Sequence, residues 1–168
     1  MLALALITLG IICRFIPHLA NYSPLLAIAL FSGVYLKRRY AVLLPLALMM
    51  VTDLFLGLHN AVLFTWGSIL IIALLGTIFK SKRNAITITS GAIGSSVLFF
   101  IITNFGVWLM GWYPRTAQGL IDCYVMGIPF FRTTLLSTLV YSALLFGAYE
   151  LAVQRIKKEE LRKVLLTN

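Results

Sequence analysis

Hydrophobic positions in this chain run in long blocks, interrupted by charges and turn residues. Apolar stretches cover residues 2–17, 23–36, 40–58, 61–79, 85–112 and 130–153. A membrane span needs about 20 mostly apolar residues, and every backbone group in lipid must find its partner within the protein. These blocks therefore predict helices, and none shows the alternation of a barrel strand. The expected fold is all-α: a polytopic transmembrane helical bundle of six spans. The 23–36 stretch is short, and reads as a tilted short helix or a re-entrant segment. The 2–17 stretch lacks the basic start and small-residue cleavage site of a secretory signal.

Composition agrees. The chain has 168 residues, 61% of them apolar and 11% charged, against about 25% charged in a soluble domain. Mean hydropathy is +0.98. A soluble enzyme, a nucleic-acid binder and a disordered chain are excluded. The formal charge of +9 becomes a topology signal once it is located. Lys37, Arg38 and Arg39 follow the second stretch, Lys80, Lys82 and Arg83 the fourth, and Arg155, Lys157, Lys158, Arg162 and Lys163 the sixth. Basic residues concentrate in cytoplasmic connections, so both termini are expected in the cytoplasm. The domain reading is a six-span unit over 1–154, with an outer lid-like connection at 111–129, and a charged cytoplasmic helical tail over 155–168. The expected location is a bacterial cytoplasmic (inner) membrane, multi-pass, with the lipid bilayer as a partner and no nucleic acid.

The remaining polar residues then fall on the outer side. Arg14, His18 and Asn21 end the first stretch, and Asp53, His59 and Asn60 end the third. Asn104 lies inside the fifth. Trp112, Tyr113, Arg115, Asp122, Cys123 and Tyr124 fill the long connection, and Arg132 opens the sixth stretch. Ionisable groups in a membrane are costly and mark functional cavities, although they also pair structurally. Arg14 with Asp53, and Asp122 with Arg132, are the expected ion pairs. Trp108 and Trp112 fit an interfacial aromatic belt or flat walls of a site. Pro17, Pro24, Pro114 and Pro129 punctuate outer connections. Gly91 with Ser95, and Ala143 with Gly147, predict close helix seams.

The motifs Arg14-Phe15-Ile16-Pro17-His18, Asn21-Tyr22-Ser23-Pro24, Asp53-Leu54-Phe55-Leu56-Gly57-Leu58-His59 and Thr103-Asn104-Phe105-Gly106-Val107-Trp108 carry a resemblance. So do Tyr113-Pro114-Arg115-Thr116, Gly119-Leu120-Ile121-Asp122-Cys123-Tyr124 and Ile128-Pro129-Phe130-Phe131. Together they resemble a family of small bacterial membrane proteins described only as transport proteins of unknown function. More distantly the chain is similar to the S components of energy-coupling-factor (ECF) vitamin transporters. Those are six-helix proteins that bind vitamins or metal ions at the outer face, under loops that close over the ligand. The first stretch lacks their Ala-x-x-x-Ala docking signature. The resemblance implies transport, with an energising membrane partner.

Three functions stay open. The favoured one is capture and import of a vitamin-like micronutrient at the outer face. His18, Asn21, Asp53, His59, Asn104, Trp108, Trp112 and Tyr124 are its candidate substrate-binding residues. Cobalamin is the leading specific ligand, because Cys123 and the histidines suit a transition metal; Cys123 is the candidate metal ligand, with small-residue packing as its other reading. No catalytic residue and no resident cofactor are expected. The alternatives are a ligand-free assembly subunit, or a membrane enzyme using Asp53, His59 and Cys123.

Overall fold

In the computed structural model, residues 5, 8, 12, 15, 21–58, 60–81 and 83–166 are described, without the side chains of 159–166. Arg14, His18 and His59 lie outside the described residues. So does most of the first expected span, of which Ala5, Thr8, Ile12 and Phe15 have helical geometry.

The described elements are all helical: α1 (Leu25–Tyr35), α2 (Arg38–Leu56), α3 (Val62–Gly76) continuing as a 3₁₀ turn (Thr77–Ser81), α4 (Ala85–Leu109) and α5 (Ala117–Leu166). Four segments are long and apolar enough to cross a membrane: Arg38–Leu56, Val62–Ser81, Ala85–Leu109 and Ala117–Lys158. Leu54, Phe55, Leu63 and Ile86 point outward on these helices. Large exposed apolar side chains are a liability in water and the ordinary surface of a protein in lipid.

The short segment is the centre of the bundle. α1 packs against α2, α3, α4, α5 and the 3₁₀ turn, and every residue from Leu25 to Val34 is buried. A helix that is apolar all round is one buried on every side. Gly33 and Gly76 let α1 and α3 touch through their backbones: a Cβ on Gly33 would stand 2.7 Å from the Gly76 Cα. Phe31 and Tyr35 then lock α1 to Phe146 and Tyr149 of α5, with ring centroids 4.1 to 5.6 Å apart.

The basic connections meet at one end. The Lys80 ammonium donates to the Leu36 carbonyl, where a cation complements the C-terminus of α1. The Arg83 guanidinium lies 5.0 Å from the centre of the Tyr35 ring. Tyr35 donates its hydroxyl proton to Glu150 of α5.

Three expectations change. Residues 117–129 form the first turns of α5 instead of a loop, so the connection shrinks to residues 110–116. Pro129 sits inside that helix. A proline costs one backbone hydrogen bond, a loss that neighbouring groups make tolerable in membrane helices. Buried positions 119, 123, 127, 134, 137 and 138 recur at helical spacing along α5; on that face Cys123 and Gly127 meet α4, Gly119 meets Pro114, and Ser137 meets Asn21. The Asp122–Arg132 pair is not made: Asp122 accepts from the Gln118 amide at 2.8 Å, and Arg132 lies roughly 15 Å further along the helix. Of the two seams, Gly91 and Ser95 are buried, whereas Ala143 is exposed and a Cβ on Gly147 would meet nothing within 4 Å.

Candidate functional site

A cavity of about 630 Å³ opens at the end of the bundle opposite the basic connections. Its floor is the first turn of α1, Leu25 and Leu26. Asn21 and Ser23, in the turn before α1, form one rim. Asn21 holds a left-handed backbone, φ 62°, a conformation asparagine tolerates better than most residues; its carbonyl accepts the Ser137 hydroxyl at 3.4 Å. α2 contributes Asp53 and Leu56, α3 Thr65, α4 Thr103 and Asn104, and α5 Cys123, Met126 and Thr134.

Asp53 is the charged member. It is 3% exposed, and Trp66 of α3 donates its indole N–H to the Asp53 Oδ2 at 2.8 Å. A buried carboxylate requires such partners. Its expected partner Arg14 lies outside the described residues. Among the described residues lining the cavity there is no lysine or arginine. Asn104 donates its amide to the Phe100 carbonyl at 2.9 Å. Its Oδ1 faces Gly127 of α5 so closely that a Cβ there would stand 2.5 Å away. Thr103 and Thr134 turn their hydroxyls to carbonyls of their own helices, a local solution that removes the cost of burying them. Phe99 and Phe130 add apolar wall.

Four expected site residues thus share one space: Asn21, Asp53, Asn104 and Cys123. Trp108, Trp112 and Tyr124 do not line it. Trp108 donates its indole N–H to the Pro114 carbonyl at 3.0 Å and so pins the connection after α4. Trp112 is 68% exposed. Tyr124 donates its hydroxyl to the Ile101 carbonyl at 2.7 Å and fastens α5 to α4. Cys123 is 1% exposed, and its Sγ lies 3.3 Å from the Asn104 carbonyl in the same seam. No three His, Cys, Asp or Glu side chains converge among the described residues.

Tyr113, expected with Trp108 and Trp112 as a belt aromatic near the polar set, lines the cavity, whereas Trp66, Thr65 and Thr103 border or support it without a sequence expectation behind them. For Trp66 a signal existed. A tryptophan inside an apolar span needs an acceptor for its indole N–H, and the neighbouring span carries a carboxylate that needs a donor.

No curated protein and no solved structure matches the chain. The profile of a family of unknown function, DUF6580, matches residues 1–161, so this chain belongs to that family.

Proposed function

We propose that this protein captures a compact, polar, vitamin-like solute in the cavity and delivers it across the membrane with the help of an energising membrane partner. The basic end faces the cytoplasm and the cavity faces outward, in a bacterial inner membrane. The supporting observation is a cavity of about 630 Å³ that gathers Asn21 from the turn before α1, Asp53 from α2, and Thr103 with Asn104 from α4. Small-molecule sites have this form: about 300–1,000 Å³, mostly apolar, with a few polar groups that fix orientation. A cavity of this volume accommodates a single heterocyclic ligand, and we take a small vitamin as the substrate class, with cobalamin as a member that the test below includes. Likeness to S components rests on the span pattern and the placement of the polar groups.

Thermal-shift and native mass spectrometry titrations against a panel of water-soluble vitamins test this reading. One member should raise the melting temperature of the wild type and fail to do so for Asp53→Asn and Asn104→Leu. No binding by the wild type across the panel overturns it. Orientation is tested by single cysteines in a background lacking Cys13 and Cys123. An impermeant thiol reagent should label a cysteine at Asn60 in intact cells and leave one at Ser81 unlabelled; the reverse pattern inverts the orientation.

A second reading, an assembly subunit without a ligand, draws on the α4–α5 seam. There the polar groups of Asn104, Cys123 and Tyr124 all serve helix contact. It requires the purified protein to co-elute with a partner protein and no small molecule.

A further inference from the structure

A second space lies at the basic end, away from the cavity. It is a groove of about 320 Å³ between α4 and α5, closed at the back by Tyr35 of α1. Its floor is apolar: Ile88 and Ala92 of α4, Leu139 and Phe146 of α5. Its mouth is charged, with Arg83 on one side and Glu150 on the other. The small residues Ala143 and Gly147 leave it open, and a Cβ on Gly147 would meet nothing within 4 Å. Ser142 lines it, is 2% exposed, and its Oγ has no hydrogen-bond partner. Other buried hydroxyls of α5, at Thr134, Ser137 and Thr138, bond to carbonyls of their own helix. The Ser142 hydroxyl, unlike these, is buried without a partner beside the groove.

The charges at the mouth are held apart. Arg83 is fixed by its Nε–H on the Lys80 carbonyl at 2.8 Å and by the face of Tyr35. Glu150 is fixed by the Tyr35 hydroxyl. Tyr35 stands between them as a spacer. Both ions keep capacity for a ligand: a guanidinium has five N–H donors, and a carboxylate about four acceptor sites.

We propose that this groove binds one phospholipid of the adjacent leaflet whose headgroup carries a phosphate and a primary ammonium, that is, phosphatidylethanolamine. Arg83 takes the phosphate, for which a guanidinium is the matching donor. Glu150 takes the ammonium, which has N–H donors that a choline headgroup lacks. An acyl chain enters between Ala143 and the α4 face. A phosphatidylglycerol headgroup, one phosphate and a neutral glycerol, gives Glu150 no cation to pair with.

The full-length protein is reconstituted in vesicles of equal phosphatidylethanolamine, phosphatidylglycerol and phosphatidylcholine, then re-extracted in mild detergent. Retained lipid is quantified by mass spectrometry. The wild type should retain phosphatidylethanolamine above the other two. Arg83→Gln should lower all retained phospholipid about fivefold, and Glu150→Gln should lower the preference for phosphatidylethanolamine about threefold. Gly147→Leu, which fills open space, should abolish retention at an unchanged melting temperature. If that variant fails to fold, the Arg83 and Glu150 variants decide alone. Equal retention of the three lipids by the wild type overturns the proposal, as does a preference for phosphatidylglycerol. Displacement by soluble glycerophosphoethanolamine at equal concentration overturns the acyl-chain part. A changed oligomeric state in Gly147→Leu with lipid retention intact makes the groove a protein contact instead.

Discussion

At the C-terminal end of α1 the Phe31, Tyr35, Phe146 and Tyr149 rings are in contact, and the Gly33 and Gly76 backbones leave no space for a Cβ. At its N-terminal end Leu25 and Leu26 face a cavity of about 630 Å³. Among the described residues, the same helix is thus enclosed at one end and faces open space at the other. Its length explains the contrast. Eleven residues rise about 16 Å, roughly half of a hydrocarbon layer about 30 Å thick. The surrounding helices continue past the point where α1 stops, and the space left over is the cavity. Polar side chains on those helices are buried there without lying against an apolar neighbour on every side. The short central helix therefore both fills the basic half of the bundle and creates room in the other half.

The contrast can be broken by adding the same kind of bulk at the two ends. Gly33→Leu drives a side chain into the α3 backbone and should cost about 3 kcal/mol or more, seen as a large fall in melting temperature in detergent. An unchanged melting temperature would mean that α1 and α3 are not in backbone contact. Trp66→Phe removes the indole donor from buried Asp53 and should cost about 2 kcal/mol, with the same assay as readout. A cost below the error of that assay would show that Trp66 does not hold the carboxylate. Leu26→Phe adds bulk toward empty space, so its effect on stability should stay within about 1 kcal/mol. A loss as large as that of Gly33→Leu would show that the cavity end is as tightly filled as the other. The smallest change is expected from Cys123→Ser. The hydroxyl still reaches the Asn104 carbonyl, and stability should move by less than about 1 kcal/mol. A metal ligand would behave otherwise: serine would strip a bound metal detectable by elemental analysis of the wild type.

The membrane helices were legible because lipid imposes length and apolarity on each of them. The stretches 40–58, 61–79 and 85–112 lie within a few residues of α2, of α3 with its 3₁₀ turn, and of α4. The role of α1 was not legible. A helix buried on all faces has no polar stripe, so its sequence shows a short apolar run and not its central position. The start of α5 was misread because Pro129, Gly119 and Gly127 carry the local signature of a loop. Gly119 lies against the Pro114 carbonyl and Gly127 against Asn104; both are small to allow contact, a reason visible only in three dimensions. Asn21, Asp53 and Asn104 could be read as cavity residues because polar groups in apolar spans are few. Thr65 and Thr103 could not, since threonines bonded to their own helix occur on any face. Trp108 and Tyr124 were drawn to the site by proximity in sequence, whereas their hydrogen bonds fasten the α4–α5 end.

The most direct test of a solute site above the short helix is native mass spectrometry of the wild type and Leu26→Phe, extracted gently from cells grown in rich medium. The wild type should carry a small molecule of vitamin mass, and the variant, at a similar melting temperature, should carry none. A wild type without any bound small molecule, or a variant that retains it in equal amount, would contradict capture in this cavity.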